Sequence, residues 1–277
     1  MNNNRLRGTI VIGAVLALFT VSFAFAQETK PRPIELKDIL AWKSIRGNAL
    51  SDNGEWFAYQ LGPGEGDAEA VLRHTKTDKE TRFPIGELPR ERPSRGEAPE
   101  RPTSRIAFSA DSQWLAFLVY PSQKEAERLK RQKKPAQTKL ALVNTAAGTK
   151  TEFEKVRSFS FSGENPGWIA YQKFGPDSAA RSKVTGTDMI LQELATGKQI
   201  NIGNVSDFAF DKRGRWLAWT IDAADMSGNG LQVRDMTTGT VMPLDSDKAV
   251  YKRLSWIREG DALAVLKGKE DKKYENA

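Results

Sequence analysis

Three serines of this chain recur beside acids in a repeated pattern: Ser51 next to Asp52, Ser109 two before Asp111, and Ser162. A serine with an acid is two thirds of a nucleophilic triad, but the triad also needs a histidine base. The sequence has one histidine, His74, between Arg73 and Thr75 in a strand-like run of the first repeat. No G-x-S-x-G elbow occurs, and neither H-E-x-x-H nor an EF-hand loop is present. With no cysteine there is no thiolate ligand and no disulfide. Asp222, Asp225 and Asn229 offer oxygens of the kind calcium takes, but their spacing in DAADMSGNG is irregular and reads as a plain loop. Ser and Asp at one repeated turn position bond their own backbone. The expectation is therefore no catalytic, cofactor-binding or metal-binding residue, and no cofactor.

The elements that carry these residues are clearest in Phe208–Ile221, FAFDKRGRWLAWTI. Phe208 and Phe210 lie two apart and share a strand face. Asp211 to Gly214 form a turn, with Gly214 free to take a positive φ. Trp216 to Ile221 then has almost no polar face, as in a strand covered on both sides. The unit recurs at Leu50–Tyr59, Ile106–Phe117, Phe159–Tyr171 and Leu254–Leu266. A second hairpin follows in four repeats: Ala70–Ile85 turning at 77–80, Leu140–Phe153 turning at 146–149, and then Met189–Leu194 and Leu231–Met236 with turns at 195–198 and 237–240. The aligned alanines Ala58, Ala116, Ala170, Ala218 and Ala264 stand 58, 54, 48 and 46 residues apart.

A repeat of four strands over roughly 40–50 residues is the size of one propeller blade. The fold class read from the pattern is all-β, a partial β-propeller of about four and a half four-stranded antiparallel blades. In such a stack the tryptophan fills space between sheets and the alanine lets the next sheet come close. Residues 49–277 form this array, and 27–48 form a lead-in linker with a short helix over Ile34–Lys43. Insertions at 86–103, rich in proline, and 121–139, rich in lysine, lengthen the first two spacings. Lys124–Lys134 reads as a short exposed helix.

Residues 1–26 have the form of a signal peptide. Arg5 and Arg7 precede an uncharged apolar run, and Ala24-Phe25-Ala26 supplies a cleavage site. Retention as a membrane anchor is the alternative, and either way the remainder is exported, to the periplasm or beyond. Of the formal charge of +7, the leader supplies two. The remaining +5 is matched by the 121–139 insertion, with seven Lys/Arg against Glu125 and Glu127. Charge confined to one loop of an exported protein argues against a nucleic-acid partner.

LSDNGEWFAY, FSADSQWLAF and FDKRGRWLAW resemble the blade repeats of the prolyl oligopeptidase and dipeptidyl peptidase serine peptidases and of TolB-like propellers. The lead-in IELKDILAWKSI and the lysine-rich insertion resemble those of exported bacterial peptidases of this kind. The resemblance spans residues 34 to 270. It implies a propeller of about seven or eight blades that restricts substrate entry to a C-terminal hydrolase domain bearing the Ser-Asp-His triad. No position here matches a triad residue, and the paired-glutamate motif of dipeptidyl peptidases is not visible. The chain is thus expected to be the propeller portion of such a peptidase, inert alone, whose partner is the hydrolase domain or another protein closing the array. A stand-alone TolB-like protein-binding scaffold is the other reading.

Overall fold

The structure is a computed structural model that describes residues 33–89, 106–175, 186–259 and 261–269. The leader and most of the proline-rich insertion lie outside the described residues. Residues 1–39 form one unit and 40–277 another. In the first, Glu35 opens a short helix, α1 (Leu36–Ala41), where its N–H donates to Asp38 Oδ2 at 2.9 Å. Among the described residues no helix is long and apolar enough to cross a membrane.

The second unit is a succession of antiparallel sheets. The first contains β1 (Lys43–Leu50), β2 (Trp56–Pro63), β3 (Asp67–His74) and β4 (Glu80–Glu87) in sequence order. The second contains β5 (Ile106–Phe108), β6 (Trp114–Val119), β7 (Lys139–Asn144) and β8 (Lys150–Phe153). The strands β9 (Val156–Phe161), β10 (Trp168–Lys173), β11 (Thr187–Glu193), β12 (Gln199–Phe210), β13 (Trp216–Ile221), β14 (Gly230–Asp235) and β15 (Val241–Ser246) join as one seven-stranded sheet. A last pair is β16 (Val250–Trp256) with β17 (Leu263–Gly268).

Two points correct the reading from sequence. Sheet begins at Lys43, inside the stretch read as lead-in, because β1 is mostly exposed and lacks the apolar signal. The third and fourth blades are not separate sheets. The long β12 pairs with β11 as far as Val205 and with β13 from Val205 onward, with a register shift at Val205/Asp207. It is the fourth strand of one blade and the first strand of the next, bent at Asn204, whose φ is +56°. The four-strand repeat therefore persists through it, and we number the blades 1 to 5.

Apolar clusters fill the spaces between successive blades. Ala58, Leu72 and Ile85 meet Ile106, Leu115 and Phe117 between blades 1 and 2. Ala116 and Leu140 meet Phe159 and Tyr171 between 2 and 3. Ala170 and Leu191 meet Leu217 and Trp219 between 3 and 4, and Ala218 and Val233 meet Tyr251 and Leu254 between 4 and 5. Trp56, Trp114, Trp168 and Trp216 pack against these four clusters in turn, so they occupy equivalent places. Each is half-buried, not enclosed: the repeated Trp lies at the rim of its cluster while the repeated Ala lies in the middle. The first strands come near one another between blades 1 and 2 (β1 to β5), 3 and 4 (β9 to β12) and 4 and 5 (β12 to β16), while between blades 2 and 3 it is β7 that meets β9.

The lysine-rich insertion forms α2 (Gln123–Arg131) between β6 and β7. Ser122 Oγ accepts from Glu125 N–H as its N-cap. Gln123 N–H donates to Asp67 Oδ1 of blade 1 at 2.6 Å, fixing the helix start. Ala126 and Leu129 are half-buried, and the lysines and arginines are exposed.

Candidate interaction surfaces

The repeated serines serve the backbone. Ser51, Ser109 and Ser162 are buried, and their hydroxyls accept from the N–H of Trp56, Trp114 and Trp168 at 2.9, 3.0 and 3.2 Å. In blade 4 the same place is taken by Asp211, whose Oδ1 accepts from Trp216 N–H at 2.6 Å. The Ser109 hydroxyl itself donates to Asp111, whose Oδ1 also accepts from Gln113 N–H. Asp52 is exposed at the equivalent turn. His74 ends β3 with its ring edge-on to Trp56, centroids 4.9 Å apart. Its Nδ1 accepts from the N–H groups of Lys76 and Thr77, closing the turn. The residues that suggested a triad are thus spread over successive turns, each with a local bonding role.

The calcium-like loop is likewise divided. Asn229 is buried; its Oδ1 accepts from Ala223 N–H and its Nδ2 donates to Ala249 O, tying the loop to the start of blade 5. Asp225 is exposed and accepts from the Ser227 N–H and hydroxyl. Among the described residues no group of three His, Cys, Asp or Glu could hold a metal.

What the packing does leave available is sheet surface. On blade 1, the face turned away from blade 2 carries Ile45 at 54% and Leu50 at 60% exposure, opposite Leu61 and Phe57. Further out this face is charged: Arg82 bridges Glu69 and Glu80, and Tyr59 OH donates to Glu80. Hydrogen bonds from Arg82 and then Tyr59 hold the Glu80 carboxyl below its ordinary value. On blade 5, Ala264 is exposed although its four counterparts are fully buried, and Leu266 is 58% exposed. Exposed apolar sheet faces are interaction surfaces.

Blade 5 is held to blade 4 by a polar cluster. Lys267 Nζ reaches Asp245 at 2.7 Å and Asp247 at 3.1 Å, Lys269 reaches Asp247 at 2.9 Å, and Tyr251 OH donates to Asp245. Lys269 and then Lys267 hold the Asp247 carboxyl down at about 2 from 3.8. A depressed acid favours the folded form above its unfolded value and gives up that contribution as pH falls through the folded one. In a carboxyl NMR titration Asp247 should turn over near pH 2. In Lys267→Ala/Lys269→Ala it should return to about 4. A midpoint near 4 in the unaltered chain would mean that the bridges do not form.

No protein-family model matches the chain, and no curated protein matches it. Solved structures do. A prolyl endopeptidase is similar at TM-score 0.48 and 15% identity, over 83% of this chain and 33% of that one. The β-propeller domain of the Trilobed protease from Pyrococcus furiosus is similar at 0.45 and 10%, over 83% and 69%. TolB from Acinetobacter baumannii is similar at 0.37 and 12%, over 74% and 44%. The chain thus spans a third of the prolyl endopeptidase. The propeller architecture itself rests on the blade packing described above.

Proposed function

We propose that this chain is the propeller portion of an exported serine peptidase of the prolyl oligopeptidase kind, restricting which substrates reach a hydrolase domain. The observation that carries the reading is the pair of uncovered sheet faces, Ile45 and Leu50 on blade 1 and Ala264 and Leu266 on blade 5. Such faces are the surfaces on which further blades or a partner would pack. The leader at residues 1–26 supports export. Catalysis is assigned to the hydrolase domain, so the chain alone is inert.

The test is an antibody against residues 106–269 used on the exported fraction of the source cells, together with a fluorophosphonate probe. The expected species is well above 30.8 kDa and carries the label, while the purified chain of 30.8 kDa stays unlabelled. An unlabelled native species no larger than 30.8 kDa would overturn this reading in favour of a stand-alone protein-binding scaffold. Labelling of the purified chain would overturn its inertness.

A further inference from the structure

The first strand is bulged in blades 1, 3, 4 and 5, at one level in the first three of these. In β1, Ile45 pairs with Leu61 and Gly47 with Gln60, leaving Arg46 as an extra residue. In β9, Ser158 pairs with Gln172 and Val156 with Lys173, leaving Arg157. In β12, Val205 pairs with Ile221 and Asp207 with Thr220, leaving Ser206. Their levels correspond: Arg46 precedes Ala49, Arg157 precedes Ser160, and Ser206 precedes Ala209 by the same interval, and these three pair with Ala58, Ala170 and Ala218. In β16, Arg253 and Leu254 together oppose Val265. Leu254 is buried in the cluster between blades 4 and 5, so Arg253, with φ +56°, is the residue displaced. A bulge in a strand re-aims a side chain, and three of these four side chains are arginines.

The guanidiniums have little else to do. Arg157 is exposed although Val156 and Phe159 beside it are buried. Its blade is covered on both faces by the neighbouring clusters, and β10 lies along one edge of β9. The other, inner edge of β9 has no ladder partner among the described residues, so a side chain displaced by the bulge can leave past it. Arg157, Arg253 and Lys252 have no hydrogen-bond or ion-pair partner among the described residues, and Arg46 donates one Nη2 bond to Pro63 O at 3.0 Å. Asp207, an acid at this level, accepts from Leu254 N–H through Oδ2 at 3.0 Å.

We propose that this inner edge binds peptides through their carboxylates, with Arg46, Arg157 and Arg253 as the anion-binding residues. A guanidinium presents paired N–H donors that match the two oxygens of a carboxylate. The free inner edges of the first strands also leave backbone N–H and C=O groups to which an extended peptide can bond. The choice of a peptide rests on the peptidase reading above, and the carboxylate is either the C-terminus or an acidic side chain. This site would select acidic or free-ended peptides at the access route.

The test is fluorescence anisotropy on the full chain with rhodamine-labelled decapeptides of Gly, Ser and Ala. One has a free C-terminal carboxylate, one is its C-terminal amide, and one is the amide with two internal glutamates. The neutral amide should bind about tenfold more weakly, or worse, than one or both carboxylate peptides, and whichever binds identifies the carboxylate source. Arg157→Glu/Arg253→Glu should remove that preference with its circular dichroism and melting temperature kept. Lys130→Glu/Lys134→Glu on α2 should leave it unchanged. Equal binding of all three peptides, a preference surviving the arginine changes, or one abolished by the α2 changes would overturn the proposal. Because the binding is measured on the chain alone, it can fail while a longer labelled native species is still found.

Discussion

Trp219→Ala is expected to cost roughly 3–5 kcal/mol, the range for enclosed aromatic side chains cut to alanine. Trp219 is 2% exposed and lies among Ala170, Met189, Leu191, Val205 and Leu217, where blade 3 meets blade 4. Its removal leaves a void bounded by two blades whose backbones are fixed by their own ladders, so little collapse can offset the loss. Trp216 is the instructive control. It belongs to the repeated motif, but it sits half-buried at the rim, with Arg215 stacked at 4.9 Å from its ring. Its loss leaves a notch open to water, and about 1–3 kcal/mol is expected from the smaller area uncovered. The indole Nε1 of Trp219 is buried without a partner, so Trp219→Phe removes an unsatisfied donor along with some volume. That change should cost less than Trp216→Ala. Urea unfolding of the full chain followed by far-UV circular dichroism gives all three values. If Trp216→Ala proves the costliest, the motif tryptophan and not the strand interior is the keystone between blades.

The contrast between these two tryptophans marks how far the sequence could be read. Trp-apolar-Ala-aromatic is a strong strand signal because both faces of the second strand are covered, and β2, β6, β10 and β13 all begin at the expected tryptophan. Sequence alternation tells which face a side chain takes, not how far along the strand the neighbouring blade extends. The fold therefore emerged while the depth of burial did not. Strands on the fan's rims were the hardest to see. All of β15 is exposed apart from half-buried Asp245, and the first half of β12 alternates weakly. Pro243 in β15 and Pro84 in β4 look like strand breakers, but both stand in fourth strands, whose outer edges have no ladder to interrupt.

The surfaces were less legible than the fold, for a related reason. Ser51, Ser109 and Ser162 at equivalent turn places already pointed to backbone bonding, and the three Trp N–H contacts have that form. Arg46, Arg157 and Arg253 carry no such signal, because nothing in a residue's type announces a bulge. The signal lay in comparing copies: basic residues fall just before the inward positions of three first strands. Lys124 to Lys134 is conspicuous instead, since six basic residues together are obvious in sequence and three spread over some two hundred residues are not.

The turn that precedes each motif tryptophan supplies the sharpest quantitative contrast in the molecule, since three copies adopt one backbone shape in different surroundings. Gly54, Ser112 and Gly214 have φ of +70°, +61° and +70°, and each N–H donates to the carbonyl of Ser51, Ser109 or Asp211. Ser112 shows that the shape admits a side chain where there is room: its Oγ accepts from Asn53 N–H of blade 1. At Gly54 an added Cβ meets nothing within 4 Å, so Gly54→Ala incurs only the left-handed backbone penalty, about 1–2 kcal/mol. At Gly214 the Cβ would stand 1.8 Å from the Ser162 carbonyl oxygen and 2.9 Å from Asn165 Cβ. Ser162 is itself fixed, with its N–H on Trp168 O and its hydroxyl on Trp168 N–H. One blade's turn must then move off the other, breaking the Glu164 N–H to Lys212 O bond of 2.9 Å between them. Gly214→Ala should therefore exceed about 4 kcal/mol, in the exceptional range for a single substitution, and should loosen the contact between blades 3 and 4 first. Hydrogen exchange would report this as lost protection at Glu164 and Trp168, with Ser51 and Trp56 unchanged. Equal losses of stability in Gly54→Ala and Gly214→Ala would mean that the turns of blades 3 and 4 do not touch, and that the fan is more open than its strand packing indicates.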